Sequence, residues 1–135
     1  MICSKFRALC GTGVITCVSG GLIGGGNYGF SVIAYYLTKN YGRVIKGCMD
    51  NEVNRAASLF EHYHAGYYTT DADEIIADPE INLVFIASNH ATHAEYAIKA
   101  LQAGKDVHIE KPHVVRYDQL VRLSEAQRSS QGRIL

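Results

Sequence analysis

The apolar positions of the chain follow two alternating periods. Short, nearly continuous apolar runs, such as "LVFIA" at residues 83–87, are typical of buried strands. Longer stretches with apolar residues three and four positions apart are typical of helices. The first pattern predicts strands at residues 14–23, 44–49, 66–69, 83–87 and 107–109. The second predicts helices at residues 28–40, 51–63, 71–77, 91–103 and 117–131.

The order of these elements predicts the fold class. Strands that alternate with helices pair in parallel, because a parallel pair needs a long crossover connection. We therefore expect an α/β fold of the Rossmann type: a doubly wound parallel sheet in three α/β/α layers. In the helix at 51–63, the face expected to pack on the sheet carries Val53, Ala56, Ala57 and Phe60.

The pattern also predicts the bounds of the domain. Residues 14–135 are expected to form one Rossmann domain, and residues 1–13 are an amino-terminal extension that the pattern does not place. The last four residues, "GRIL" at 132–135, read as the opening of one more strand. We expect the domain to be truncated within this last strand.

Composition and charge narrow the class of protein. The 135 residues are 47% hydrophobic and 19% charged, which fits one globular domain with a real core. Lysine plus arginine and aspartate plus glutamate number 13 each, so no net field would attract nucleic acid or an anionic membrane. We expect neither as a partner.

The cysteines and the apolar amino-terminal stretch have ordinary explanations. Cys3, Cys10, Cys17 and Cys48 form no C-x-x-C pair, so free thiols in a reducing cytoplasm are favoured over a disulfide or metal framework. Residues 8–38 carry no charge, as in a signal peptide or membrane helix, but eight glycines make a continuous helix there unfavourable. A buried strand, a glycine turn and a buried helix face explain this stretch better.

The glycine turn itself predicts a phosphate site. Gly24, Gly26 and Gly29 have the spacing G-x-G-x-x-G, between a predicted strand and a predicted helix. Gly24 permits a tight turn, Gly26 lets a pyrophosphate approach the backbone, and Gly29 lets the helix pack closely. The helix beginning near Asn27 or Tyr28 would offer N–H groups and a positive dipole end to the anion. A turn with a purely structural role is the alternative.

An acidic residue at the end of the second predicted strand completes the pattern. Asp50 follows Gly29 by 21 residues, and a carboxylate there accepts hydrogen bonds from ribose hydroxyls and repels a 2′-phosphate. The next residue is Asn51, and the nearest arginine, Arg55, lies a turn further on, so NAD is favoured over NADP. The alternative role for Asp50 is a cap of the helix at 51–63, and both roles are compatible.

Two later stretches follow strands that end at the same predicted edge of the sheet. They are "ASNHATH" at 87–93, which contains Ser88, and "IEKPH" at 109–113. Lys111 could donate a hydrogen bond to a carbonyl or hydroxyl oxygen during hydride transfer, and it is the candidate catalytic residue. Pro112 fixes the turn that aims this lysine, and the peptide bond between them is a candidate for unusual geometry.

The histidines do not predict a metal site. His62 and His64 are two positions apart, and His90 and His93 are three apart. Neither pair has the acidic or cysteine ligands nearby that would complete a site. No metal is expected.

The segments "GGGNYG", Asp50 and "DADEIIADPEINLVFIASNHATHAEYAIKALQAGKDVHIEKP" together resemble a known family. They are similar to the nucleotide-binding half of the glucose-fructose oxidoreductase, inositol 2-dehydrogenase and MocA (GFO/IDH/MocA) family. The resemblance runs from about residue 22 to the end of the chain. It implies NAD(P)-dependent oxidation or reduction of a sugar, inositol or related polyol. By this resemblance Lys111 lies near substrate and nicotinamide, and Asn89, His93 and Glu110 border the nicotinamide cleft.

The chain also departs from this family. Members carry a second α/β domain that holds most of the substrate pocket, whereas only 23 residues follow Pro112 here. We therefore expect a cofactor domain that is inactive alone and that belongs to a longer parent, with a homo-oligomer as the expected assembly. The face that would meet the second domain should be exposed and partly apolar, which invites self-association of the truncated domain. The alternative is a stand-alone NAD-binding module with a regulatory or redox-sensing role.

Overall fold

The strands of the chain come together in one parallel sheet. A computed structural model describes residues 19–135 and shows five strands in the order β3-β2-β1-β4-β5. The strands are β1 (Gly20–Ile23), β2 (Ile45–Met49), β3 (Tyr67–Thr69), β4 (Leu83–Ile86) and β5 (Asp106–Ile109). All four neighbouring pairs are parallel, as the alternation of strands and helices predicts.

Four helical segments connect the five strands, and a fifth follows β5. The first, α1, begins with a π-helical segment, Gly29–Ala34, and continues as an α-helix, Tyr35–Tyr41. The next two are α2 (Val53–Tyr63) and α3 (Ala72–Ala77), and the side chain of Asp71 caps α3 by accepting a hydrogen bond from the Asp73 N–H. A short 3₁₀ turn, His90–Thr92, leads into α4 (His93–Gln102), and the last helix is α5 (Tyr117–Ser129).

The helices cover both faces of the sheet, which confirms the three-layer, doubly wound architecture. On β1, Leu22 and Ile23 point to opposite faces because successive side chains of a strand alternate. Leu22 belongs to the apolar core formed with α1 and α2, and Ile23 belongs to the core formed with α3, α4 and α5. Both side chains are fully buried. The alternating strand and helix patterns therefore predict the architecture correctly.

The predicted contact face of the helix at 51–63 is partly wrong. The helix begins at Val53, which is 53% exposed, and its buried side chains are Ala56, Leu59 and Tyr63. Their spacing of three and four residues defines a stripe rotated from the predicted one. The buried tyrosine moves the stripe, since the Tyr63 hydroxyl donates a hydrogen bond to the Phe30 carbonyl of α1 at 2.6 Å.

The structure describes the carboxyl-terminal end of the chain but not residues 1–18. The predicted extension at 1–13, residues 14–18 of the first predicted strand, and Cys3, Cys10 and Cys17 lie outside the described residues. At the other end, Val107 of β5 forms an isolated parallel bridge with Ile134. The Val107 N–H donates to the Arg133 carbonyl, and the Val107 carbonyl accepts from the Leu135 N–H. The "GRIL" segment thus begins a sixth line of pairing beside β5.

Burial of Cys48 predicts a thiol that reacts slowly in the folded protein. This side chain is free, fully buried on β2, and desolvation raises its pKa to about 12. In a variant that keeps Cys48 as its only cysteine, labelling at pH 8 should be on the order of a hundred-fold slower in the native state than in denaturant, because the thiolate is the nucleophile. The rate of reaction with a chromogenic disulfide measures this. Equal rates in the two states would contradict the burial of Cys48.

Two kinds of feature are absent from residues 19–135. No helix in this range has both the length and the apolar character needed to span a bilayer. No three histidine, cysteine or acidic side chains in this range gather around a common point where a metal ion would fit.

Candidate functional site

The carboxyl ends of four neighbouring strands form one edge of the sheet. Ile23 of β1 pairs with Met49 of β2 and with Ile86 of β4, which pairs in turn with Ile109 of β5. The residues that follow these strands therefore emerge at one level, and they are Gly24, Asp50, Ala87 and Glu110. The order of the strands reverses between β1 and β4, and open α/β sheets bind ligands beside such a switch point.

The three glycines of the turn after β1 meet different surroundings. Gly24 has a φ of +109°, and a Cβ on it would lie against the Ala87 carbonyl. A Cβ on Gly29 would overlap the Gly24 carbonyl oxygen. A Cβ on Gly26 would find nothing within 4 Å. Gly24 and Gly29 are thus required by the turn itself, while Gly26 faces open space that a ligand can fill.

Asp50 fastens the glycine turn to the beginning of α2. Its carboxylate is buried, and one oxygen accepts a hydrogen bond from the Gly25 N–H at 2.7 Å. The other oxygen accepts from the Glu52 N–H at 2.9 Å. A carboxylate offers about four acceptor positions, so this aspartate retains capacity for further donors.

A cavity of about 350 Å³ opens between these elements. It is lined by Gly24, Gly26, Met49, Asp50, Asn51, Glu52, Arg55, Ala87, Ser88, Asn89, Thr92 and Tyr96. Six of the predicted site residues are in this lining: Gly24, Gly26, Asp50, Asn51, Ser88 and Asn89. The others lie outside it: Asn27, Tyr28, Gly29, His93, Glu110, Lys111 and Pro112.

Sequence reasoning missed several lining residues, and helical spacing could have identified some of them. Thr92 and Tyr96 are four positions apart and share a face of the helix after β4. Arg55, one turn into α2, lines the cavity with its guanidinium Nη2 3.1 Å from Glu52 Oε1. The positive charge that reaches the cavity is therefore partly neutralised by its own neighbour.

The loop after β4 is ordered by its own polar side chains. The Asn89 side chain accepts a hydrogen bond from the Ala91 N–H at 3.0 Å and so caps the 3₁₀ turn. The Ser88 and Thr92 hydroxyls hydrogen-bond to each other at 2.8 Å, and Thr92 also donates to the Asn89 carbonyl at 2.7 Å. These bonds hold the Ser88 and Asn89 side chains at the cavity wall.

The loop after β5 carries the candidate catalytic lysine. Lys111 and Pro112 are exposed, and the peptide bond between them is cis. Glu110 lies half-buried at the same level and hydrogen-bonds with the Tyr28 hydroxyl, which raises the pKa of Tyr28. Because Tyr28 belongs to the glycine turn, this contact brings the turn and the loop after β5 together across the edge of the sheet.

The remaining predicted residues differ in their exposure. Asn27 is exposed, and its side chain accepts a hydrogen bond from the Ser31 hydroxyl at 3.2 Å. His93 is 0% exposed, with both ring nitrogens within 2.9 Å of backbone carbonyl oxygens. The imidazole therefore lies inside the wall of the cleft and has no nitrogen left for a ligand.

Comparisons with known proteins agree with this geometry. Residues 18–135 match a family described as the GFO/IDH/MocA oxidoreductase family, NAD-binding Rossmann fold. Inositol 2-dehydrogenase 3 of Saccharopolyspora erythraea is 32% identical over 115 residues, which are 85% of this chain and 33% of that protein. A probable dehydrogenase from Thermotoga maritima shares the fold with a TM-score of 0.81 at 24% identity, over 87% of this chain and 35% of that one.

A second similar structure was solved with ligands bound. Levoglucosan dehydrogenase in complex with NADH and L-sorbose is 29% identical, with a TM-score of 0.72 over 84% of this chain and 32% of that one. The chain thus spans about a third of the length of these proteins. With the family match extending over all of the described residues, the chain belongs to the GFO/IDH/MocA oxidoreductases and comprises their NAD-binding Rossmann domain.

Proposed function

We propose that this domain binds NAD along the carboxyl edge of its sheet and serves as the cofactor half of an oxidoreductase acting on a sugar, inositol or related polyol. One observation carries the proposal. Gly26, whose missing side chain leaves open space, and Asp50, whose carboxylate has free acceptor capacity, line the same cavity at the switch point of the sheet. A pyrophosphate and the adenosine ribose need these two features side by side.

The pyrophosphate would lie over Gly26 at the amino end of α1. The N–H groups of the first helical turn have no partner within the helix, and they combine with the positive end of the helix dipole to attract an anion. Asn27 and Tyr28 follow Gly26 at this end of the helix. Their backbone would contribute to the phosphate site, with the Asn27 side chain beside it.

The adenosine ribose would lie at Asp50. Its carboxylate would accept hydrogen bonds from the two hydroxyls, with Asn51 beside it, and its negative charge would oppose the 2′-phosphate of NADP. The Arg55 guanidinium could favour that phosphate, but Glu52 already neutralises part of its charge. This balance supports NAD as the preferred cofactor.

The nicotinamide would then extend toward the loops after β4 and β5. Bound there, it supplies or accepts a hydride. Ser88, Asn89 and Glu110 would contact this half of the dinucleotide, while Lys111 would donate a hydrogen bond to the reacting oxygen of the substrate and stabilise negative charge on it. The NADH and L-sorbose in levoglucosan dehydrogenase support this class of cofactor and substrate.

The substrate half of the enzyme would be supplied by a part of the protein beyond these residues. The chain covers about a third of its relatives, and the Lys111 side chain is exposed. We therefore propose that the 135-residue chain binds cofactor but does not turn over substrate. Exposed apolar side chains on and beside α5, including Val115, Leu120 and Val121, support a homo-oligomeric parent.

Calorimetric titration of the chain with NADH and, in parallel, with NADPH tests the proposal. We expect NADH to bind and NADPH to bind more weakly. A folded sample that binds neither dinucleotide would overturn the proposed function. A sample that prefers NADPH would overturn the interpretation of Asp50 while leaving dinucleotide binding in place.

Replacement of Asp50 by alanine should weaken NADH binding by about ten-fold or more, because hydrogen bonds to a charged group are worth roughly 1.5–3 kcal/mol. Binding of NADPH should weaken less, since the repulsion of its 2′-phosphate is removed together with the carboxylate. The same titrations measure both effects.

A control variant tests whether the loss of any carboxylate that accepts a backbone N–H weakens binding. Asp71→Ala also removes a carboxylate that accepts a backbone N–H, but Asp71 does not line the cavity. It should leave both affinities unchanged. Equal losses for NADH and NADPH in Asp50→Ala would mean that this carboxylate only supports the turn.

A further inference from the structure

Two buried polar side chains lie between the loops that follow β4 and β5. We define the β4 loop as residues 87–92 and the β5 loop as residues 110–116. His93, the first residue of α4, is 0% exposed, and Gln119, in the first turn of α5, is 1% exposed. Polar side chains at this depth are unusual unless every hydrogen-bonding group has a partner.

Each of the two side chains reaches a backbone group of each loop. His93 Nε2 lies 2.9 Å from the Ser88 carbonyl oxygen of the β4 loop, and Nδ1 lies 2.8 Å from the Pro112 carbonyl oxygen of the β5 loop. Gln119 Nε2 donates to the Ala91 carbonyl at 3.0 Å. Gln119 Oε1 accepts from the Val115 N–H at 3.0 Å.

Backbone hydrogen bonds do not link the two loops to each other in residues 19–135. The ladder between β4 and β5 ends where the Glu110 N–H donates to the Ile86 carbonyl at 2.9 Å. Past that bond, no backbone hydrogen bond of residues 19–135 joins the β4 loop to the β5 loop. The side chains of His93 and Gln119 therefore connect the two loops beyond the end of the sheet.

Breaking these bridges would leave the buried side chains of His93 and Gln119 without their hydrogen-bond partners. A buried donor or acceptor that loses its partner carries the full penalty of its desolvation, so the two loops separate only at high cost. Bonds at both the near end of the β5 loop, at Pro112, and its far end, at Val115, fix its position and its orientation.

We propose that His93 and Gln119 are positioning residues that clamp the β5 loop to the β4 loop and so hold the nicotinamide half of the cleft in shape before the dinucleotide binds. This inference rests on the proposed function. The clamp fixes Lys111 and Glu110 on one side relative to Ser88 and Asn89 on the other. Groups held in place in advance lose less conformational freedom on binding, and this raises affinity.

Gln119 is the better probe of the clamp. Its amide presents a donor to the Ala91 carbonyl and an acceptor to the Val115 N–H, so both of its bonds have an unambiguous direction. A neutral imidazole at His93 donates to only one of its two carbonyl partners, whereas a doubly protonated ring donates to both. Methionine has nearly the length of glutamine and lacks both groups, so Gln119→Met removes the bonds while filling the space.

The test compares NADH with ADP-ribose, which lacks only the nicotinamide. In Gln119→Met, the Kd for NADH should rise about ten-fold, the scale of a lost hydrogen-bonded support, while the Kd for ADP-ribose stays within about two-fold. The change in nicotinamide fluorescence when NADH binds should also be smaller than in the wild type. His93→Phe should show the same selective loss, and circular dichroism and thermal melting establish that each variant is folded.

Lys105→Met is a matched control. Lys105 is 7% exposed, and its ammonium donates to the backbone carbonyls of Asp78 and Ile81 at the opposite edge of the sheet, before β5 begins. Its replacement also removes two buried bonds to the backbone, but far from the cleft. Affinities for NADH and ADP-ribose should both remain at wild-type values.

Several outcomes would overturn the clamp. Equal weakening of NADH and ADP-ribose in Gln119→Met would make Gln119 merely structural, and a selective NADH loss in Lys105→Met would show that the readout is not local. A wild-type chain that binds NADH no more tightly than ADP-ribose would refute the clamp but leave dinucleotide binding in place. Absence of binding of either ligand to the folded wild type would overturn the proposed function and the clamp together.

Discussion

Gly26→Ala should weaken NADH binding by at least about ten-fold and leave the fold intact. The Cβ of this alanine would meet nothing within 4 Å in the protein, so the folded domain accommodates it without a clash. The same Cβ would occupy the space over which the pyrophosphate is proposed to lie, and it would push the phosphate away from the N–H groups of α1. A displaced charge-assisted hydrogen bond costs roughly 1.5–3 kcal/mol, which corresponds to this loss of affinity.

Stability should respond in the opposite way. Gly26 does not have the positive φ that disfavours side chains, and replacing such a glycine lowers the entropy of the unfolded chain. The free energy of unfolding should therefore be unchanged or raised by up to about 1 kcal/mol. Thermal melting and NADH titration on the same sample measure both quantities. Wild-type affinity in Gly26→Ala would place the pyrophosphate elsewhere.

The fold could be predicted from the sequence because its information is local. A strand buried on both faces, such as β4, is continuously apolar, and each helix repeats its apolar residues at helical spacing. Alternation of the two patterns leaves few topologies, and the parallel order that the structure shows is one of them. The contact face of α2 was misassigned because a tyrosine, Tyr63, supplies part of the core by bonding to the Phe30 carbonyl.

Some residues of the candidate site could also be predicted from the sequence, and others could not. Gly24, Gly26 and Asp50 could be identified because a turn and the end of a strand need particular residues at a fixed spacing, and the structure brings all three to one cavity. Gln119 could not be identified, because its role depends on contacts with Ala91 and Val115 that only the packing of α5 creates. Its position four residues before Leu123 places it on the buried face of α5, but the pattern does not show which backbone groups its amide contacts.

For His93, the sequence predicts a position near the cleft but not the orientation of the ring. The motif predicts it at the border of the cleft, and the structure places its ring behind the surface, between the carbonyls of Ser88 and Pro112. A sequence pattern records that a histidine is near the site but does not record whether its ring faces the ligand or the protein. Burial distinguishes the two, and burial is a property of the folded state.

Gly29→Ala should destabilise the domain by about 3 kcal/mol, the upper part of the range for overpacking, because the added methyl group would overlap the carbonyl oxygen of Gly24. That carbonyl cannot move away easily. The Gly24 N–H donates to the Met49 carbonyl at 2.8 Å, and Gly24 lies against Ala87 with a φ of +109° that only glycine adopts readily. Relief of the overlap would have to come from displacing α1 from the sheet.

Gly26→Ala is the matched control for this prediction, since it adds the same methyl group three residues earlier, where there is space. The melting temperature of Gly29→Ala should fall by roughly 10 °C or more relative to that control. NADH should protect the wild type against melting and protect Gly29→Ala less, because the turn that cradles the pyrophosphate opens with the helix. Melting temperatures within a few degrees of each other would mean that α1 packs on β1 loosely enough to accept the methyl group. The close approach of helix and strand would then have no role in shaping the phosphate site.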